Sequence, residues 1–153
     1  SYTNDDAWSW YRVGESYYKT KNYEKASVCF EQASLLAPFH LEIQNKFGMA
    51  LLKCNRLKEA QKVFEFVRSE NPNFEKVYAN YGYLYTILGE FDLALIMYEK
   101  GIALNPDIVQ LWMNLAAYYL HFQNIESAQN SLSQVLRIKP NHKRAQQLLN
   151  QIK

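Results

Sequence analysis

The chain has 153 residues, about the length of one domain, and its 48% hydrophobic and 21% charged content is that of a globular rather than a disordered protein. A net charge of +2 gives no bulk reason to expect nucleic acid or an anionic membrane as partner, and no apolar run reaches the roughly eighteen residues that a membrane span needs. Aromatic residues make up 15%, with twelve tyrosines, which points to extensive helix packing or to an adhesive surface.

The opening stretch, SYTNDDAWSW, has neither a basic region nor an apolar core, so it does not read as a signal peptide. It also lacks a starting Met, and a module cut from a longer chain, or a processed one, is the expectation. Cys29 and Cys54 form no CxxC pair and no disulfide framework. They are expected to be ordinary thiols in a reducing compartment, with the cytoplasm as the default location.

From Ala7 the chain runs in four units, 7–40, 41–74, 75–108 and 109–142. In the first, Trp10, Val13, Gly14 and Tyr17 recur at helical spacing. The polar turn KTKN follows, then a second helical stripe carrying Ala26 and Phe30, and Pro38 closes the unit. Proline disfavours the helical conformation in the residue before it, so it stops the second helix. The second unit repeats the plan with Gln44, Phe47, Gly48 and Leu51, the turn CNR, Ala60 and Phe64, and Pro72. The third has Tyr78, Tyr81, Gly82 and Tyr85, the turn LGE, Ala94 and Tyr98, and Pro106. Its second helix, FDLALIMYEKGIAL, is more apolar than its counterparts. Ile96 stands where the other units have Val28, Lys62 and Asn130, and either local packing or a partner patch would account for it. The fourth unit has Trp112, Leu115, Ala116 and Tyr119, the turn FQN, Ala128 and Leu132, and Pro140. Glycine, alanine and proline thus form three combs with one period of 34 residues.

Glycine inside a helix costs about 1 kcal/mol relative to alanine, so Gly14, Gly48 and Gly82 need an offset. Close approach of the first helix of each unit to the second provides it. The last stretch, NHKRAQQLLNQIK, reads as a capping helix over 142–153, with Ala145, Leu148, Leu149 and Ile152 on one side and polar residues on the other. The count is nine helices.

This pattern resembles the tetratricopeptide repeat over residues 7–142: W-x-x-L-G-x-x-Y, A-x-x-x-F and the proline all stand at the family's spacing. Gln44, Ala116 and Leu132 are mild departures. The resemblance implies an all-α, right-handed superhelical solenoid, a single domain over 1–153. The first helix of each unit would line a concave groove, and the second, fifth, sixth, ninth, twelfth and thirteenth residues would face it.

Asn80 and Asn114 are both sixth residues, with Arg12 and Lys46 at the same place in the first two units. An amide has two donor hydrogens and an acceptor, so a column of amides can grip a peptide backbone. The superhelical arm of the glycosyltransferase that adds N-acetylglucosamine to Ser and Thr has such a column, and this chain is similar at two of four positions. Solvated amides, or amides bridging adjacent repeats, are the alternative. The implied groove is rich in Lys and Arg over the first three units, and the expected ligand is an extended peptide or a partner helix of some acidic or carboxy-terminal character. Its site is expected at Trp8, Tyr11, Arg12, Asn45, Lys46, Met49, Lys76, Asn80, Tyr83, Met113 and Asn114. Trp8 and Tyr11 equally suit a cover over the open N-terminal end. The carboxylate clamp that grips the tails of heat-shock chaperones fits in neither frame: its positions hold Tyr11, Glu15, Lys46, Lys76 and Asn80 in one, and Asn45, Met49, Asn80, Gln110 and Asn114 in the other, and neither set as a whole matches.

No HExxH, glycine-rich phosphate loop or nucleophile elbow is present. His40, His121, His142 and the two cysteines fall in different units or turns, so no metal site, cofactor or enzyme activity is expected. The expected function is a non-catalytic adaptor for a peptide or helix of another protein. Its alternatives are an assembly module that self-associates through its ends or convex face, and a regulatory arm of a larger enzyme.

Overall fold

The computed structural model describes residues 2–153, with side chains from residue 5 onward. The described residues form nine α-helices: α1 (Tyr2–Lys19), α2 (Tyr23–Leu36), α3 (Leu41–Lys53), α4 (Leu57–Glu70), α5 (Lys76–Ile87), α6 (Phe91–Leu104), α7 (Val109–His121), α8 (Ile125–Ile138) and α9 (Lys143–Gln151). This is an all-α helical-repeat solenoid. Its packing falls into two compact units, Ser1–Asn80 and Tyr81–Lys153.

The turns within repeats share one device. Lys21, Asn55, Gly89 and Gln123, spaced by the repeat period, all take a left-handed conformation, with φ of 63°, 61°, 77° and 57°. The next residue in each case donates its N–H back five residues, Asn22 to Tyr17, Arg56 to Leu51, Glu90 to Tyr85 and Asn124 to Tyr119, all at 2.9 Å. A left-handed residue with this bond satisfies carbonyls that the helix end would leave unpaired. Asn22 and Asn124 then cap the following helices, accepting from the N–H groups of Lys25 and Ser127 at 3.4 and 3.2 Å.

The turns between repeats are set by the proline comb. Ala37, Asn71, Asn105 and Lys139 each precede a proline and leave the helical region, with ψ between 69° and 100°. The fourth residue of the next unit then reaches back over the turn to a proline carbonyl. Gln44 Nε2 donates to Pro38 at 2.8 Å, Tyr78 Oη to Pro72 at 2.6 Å and Trp112 Nε1 to Pro106 at 2.7 Å. Gln146 Nε2 donates to Pro140 at 2.9 Å from α9. What the position requires is a long side chain with a donor at its tip, and glutamine meets that requirement as well as an aromatic ring does.

The glycine comb marks the close approach of paired helices. A Cβ at Gly14, Gly48 or Gly82 would run into the ring of Phe30, Phe64 or Tyr98. Ala116, fully buried, replaces the glycine opposite Leu132, where no ring intrudes.

In the first unit the core gathers Ala7, Tyr11, Ala26, Phe30, Ala33, Ile43 and Ala50. In the second, Ala116, Leu132, Val135 and Ala145 form a core that Leu148, Leu149 and Ile152 cover from the C-terminal side. Two packing expectations fail. Trp10 and Val13, at fourth and seventh positions, are 41% and 47% exposed. Fourth-position side chains pack backward onto the turn of the preceding unit, and no described turn precedes α1. Ile96 is 43% exposed beside exposed Leu93, so local packing does not account for its apolar character.

Candidate functional site

In the first unit, the residues at groove-facing positions are largely occupied by one another. Glu15 meets Lys46 at 3.6 Å and Glu42 meets Lys76 at 3.2 Å. These pairs lie at the surface and contribute little stability, but they neutralise two of the lysines expected to attract an acidic ligand. Beneath them, Asn80 Nδ2 donates to Asn45 Oδ1 at 2.9 Å. Asn45 and Asn80 are only 3% and 9% exposed. The open amide column expected at Asn80 is therefore corrected: its amide bridges adjacent repeats, because an amide excluded from water must find a partner within the fold.

Tyr11 is corrected likewise. It is 8% exposed, tilted against Phe30 at 5.7 Å between ring centres. Its phenol ionises well above the usual range, first because it is buried and then because Glu15 and Glu42 lie near. Trp8 is half-buried, edge-on to Tyr11 at 5.0 Å and to His40 at 4.8 Å. Both therefore belong to the packing of the N-terminal repeat. Met49 is half-buried and Arg12 exposed. Met113 is half-buried, packed against the core of Ala116, Leu132, Val135 and Ala145.

The second unit is different. Tyr83 and Asn114, from α5 and α7, meet at a hollow of about 400 Å³ whose other lining residues are Thr86, Phe91, Tyr98, Ala117, Tyr118 and His121. Four aromatic rings and an imidazole shape it. His121 stacks on Phe91 at 5.2 Å, and Tyr118 stands edge-on to Phe91 at 6.4 Å and to Tyr98 at 6.5 Å. Asn114 Oδ1 accepts from Gln110 Nε2 at 2.6 Å.

One wall carries a hydroxyl pair. Thr86 Oγ1 lies 2.9 Å from the Gly82 carbonyl and 3.3 Å from Tyr98 Oη. A hydroxyl has one proton. If threonine's goes to the carbonyl, the tyrosine proton must serve the contact between the two hydroxyls. The half-buried Thr86 oxygen then faces further ligands only as an acceptor, while Tyr98, 1% exposed, keeps its hydroxyl within the wall. Burial pushes the Tyr98 phenol up to about 12, so it stays protonated at neutral pH.

The face of α5 and α7 was readable from the repeat frame, which places Thr86, Ala117 and His121 beside Tyr83 and Asn114. Phe91, Tyr98 and Tyr118 were missed because none stands at a groove-facing position of the frame, and Tyr98 belongs to the packing stripe of the second helix. One signal existed: Tyr98 occupies the place of Phe30 and Phe64 but adds a hydroxyl. Among the described residues, no group of three or more His, Cys, Asp or Glu is placed to hold a metal ion. No helix among them is long and apolar enough to cross a membrane. Cys29 and Cys54 are free, and burial pushes both thiols up, away from reactivity.

Paired helices at a fixed period, closed by proline turns and bound to one another by fourth-position donors, define a helical-repeat scaffold. Family models described as tetratricopeptide repeat match residues 7–40 and 87–152. The chain belongs to the tetratricopeptide repeat family, a family of protein–protein interaction scaffolds. Among curated relatives, it is similar to the BBSome complex member BBS4 homolog of Drosophila melanogaster, 27% identical over 133 residues, which are 86% of this chain and 27% of that protein. The chain spans between 11% and 27% of the length of that relative and three others. Among solved structures, it is similar to pilF of Pseudomonas aeruginosa, with a TM-score of 0.80 at 16% identity over 99% of this chain and 69% of that one. It is also similar to YrrB, described as a TPR protein with an unusual peptide-binding site, with a TM-score of 0.66 at 22% identity over 93% of this chain and 73% of that one.

Proposed function

We propose that this chain is a non-catalytic adaptor that takes a segment of a partner polypeptide on the α5–α7 face of its second unit, at the hollow holding Tyr83 and Asn114. The observation that carries this reading is the contrast between the two units. In the first, the groove-facing groups at Glu15, Lys46, Glu42, Lys76, Asn45 and Asn80 are spent on each other. In the second, the equivalent face holds an aromatic-lined hollow of about 400 Å³, within the usual size of ligand sites. Aromatic residues are favoured at the centres of protein interfaces. A single segment docked there would bind with a Kd on the order of micromolar, about −8 kcal/mol.

Selection of random twelve-residue peptides displayed on phage tests the reading. Enriched peptides are expected to lose binding to the Ala117→Phe variant, which fills the hollow from an exposed position, and to keep it on Arg12→Ala. Selected peptides indifferent to Ala117→Phe would contradict the reading.

A second reading, self-assembly, is favoured by the exposed apolar residues Leu93 and Ile96 on α6. Light scattering over a hundredfold concentration range separates the two. A mass rising with concentration, and lowered by Ile96→Lys, supports assembly; a constant monomer mass contradicts it. That the chain spans 13% of the human protein O-mannosyl-transferase TMTC3, to which it is similar, supports a third role as an arm within a larger enzyme.

A further inference from the structure

We infer that the hollow of the second unit selects an aromatic side chain bearing a hydrogen-bond donor, a tyrosine or tryptophan of the partner segment. This rests on the reading of the α5–α7 face as a partner site. Three features of the hollow select the chemistry. Its walls are rings: Tyr83, Phe91, Tyr98 and Tyr118, with His121 stacked on Phe91. Such walls receive another ring edge-on or offset, at centroid separations of about 4.5–7 Å.

Its polar wall is an acceptor. The Thr86 proton is directed to the Gly82 carbonyl, so the half-buried Thr86 oxygen offers a ligand only its acceptor side. A ligand ring without a donor shuts that oxygen away from solvent with no replacement, a loss for any buried polar group. The third feature is charge. No Asp, Glu, Lys or Arg is among the residues lining the hollow. An ammonium or guanidinium entering it would surrender water with ring faces alone, and no carboxylate in the lining, to compensate. A neutral phenol or indole meets all three conditions. Phenylalanine meets the first and an aliphatic side chain meets it in part, but neither meets the second.

The test uses amino-acid amides as probes, followed by backbone amide shifts of the 15N-labelled chain. N-acetyl-tyrosinamide and N-acetyl-tryptophanamide should give saturable shifts at Tyr83, Thr86, Ala117 and Tyr118. N-acetyl-phenylalaninamide should bind about three- to tenfold more weakly than the tyrosine compound, the worth of one hydrogen bond. N-acetyl-lysinamide should give no saturable shift. Thr86→Val should bring the tyrosine and phenylalanine compounds to equal affinity, with an unchanged fold verified by circular dichroism. Ala117→Phe should abolish binding of both. Equal affinity of the tyrosine and phenylalanine compounds on the unaltered chain overturns the inference, and so does preference for the lysine compound. The two failures are distinguishable. If the amides give no saturable shift while phage-selected peptides still bind and are lost on Ala117→Phe, the aromatic selection is wrong and the partner site stands. If the peptides ignore Ala117→Phe, the partner site itself is wrong.

Discussion

Asn80 shows how a residue type can be read correctly and its role misplaced. The sequence frame puts it on the face of α5 that looks toward the groove. It does not say that Asn45 Oδ1, from the neighbouring repeat, comes within 2.9 Å and accepts a hydrogen bond from the Asn80 amide. Periodicity specifies a face; partnership across repeats depends on side-chain reach, which the period does not encode. Asn80→Ala should cost about 1–3 kcal/mol, because it leaves the Asn45 amide buried without its partner. Replacing both asparagines by leucine should recover most of that loss. Urea unfolding at neutral pH measures both, and a cost for Asn80→Ala below about 0.5 kcal/mol would mean that water serves the amide instead.

Tyr98 gives a pH signature at the same scale. Its phenol is pushed up to about 12 by burial, whereas an unfolded tyrosine ionises near 10. Above pH 10 the unfolded chain therefore loses this proton first, and stability falls as pH rises toward 12, by up to about 1.4 kcal/mol per pH unit from this group. Tyr98→Phe should flatten that decline between pH 10 and 11. An unchanged slope would place the alkaline sensitivity elsewhere, with Tyr11 the next candidate.

Among the elements, the turns were the most legible feature and also hid a regularity. Prolines 38, 72, 106 and 140 announced where second helices end, and the structure obeys them. The left-handed residue inside each repeat was not announced, because only Gly89 of the four is a glycine. Lys21, Asn55 and Gln123 adopt the same conformation at some expense. Gly89→Ala should destabilise by about 1 kcal/mol on conformational grounds alone, since a Cβ there meets nothing within 4 Å. Gln123→Gly should stabilise by about 0.5–1 kcal/mol. Thermal melts of the two variants should move in opposite directions, and shifts of the same sign would contradict this account of the turn. Gly48→Val tests a different contact. Its side chain would collide with the Phe64 ring in a packed interior, and a loss of about 1–3 kcal/mol is expected from overpacking. The fourth-position glutamine, an apparent departure from the family pattern, proves equivalent in function. Gln44 reaches the Pro38 carbonyl as Tyr78 and Trp112 reach theirs.

For the whole molecule, the repeat period made the fold class and the helix count legible before any coordinates. The identity of the site was much less so. The composition of the groove-facing positions pointed to the basic first three repeats, where Lys46 and Lys76 turn out to be paired with carboxylates. The aromatic hollow is built partly from Phe91, Tyr98 and Tyr118, none of which the repeat frame places on the groove. A solenoid's stability is close to a sum over neighbouring units, so damage at its end should stay near that end. Ala145→Asp puts a carboxylate into the fully buried contact of α9 with α8. Amide exchange should quicken across α7 to α9 while α2 and α3 keep their protection; a uniform loss would show that the two units unfold as one.

The most direct test of the central claim is a map of amide shifts on adding a peptide selected for binding. The proposal predicts that the largest shifts fall between residues 83 and 121, centred on Tyr83, Ala117, Tyr118 and His121, and that Asn45 and Lys46 stay still. Shifts centred instead on α1 and α3, with the hollow silent, would contradict it.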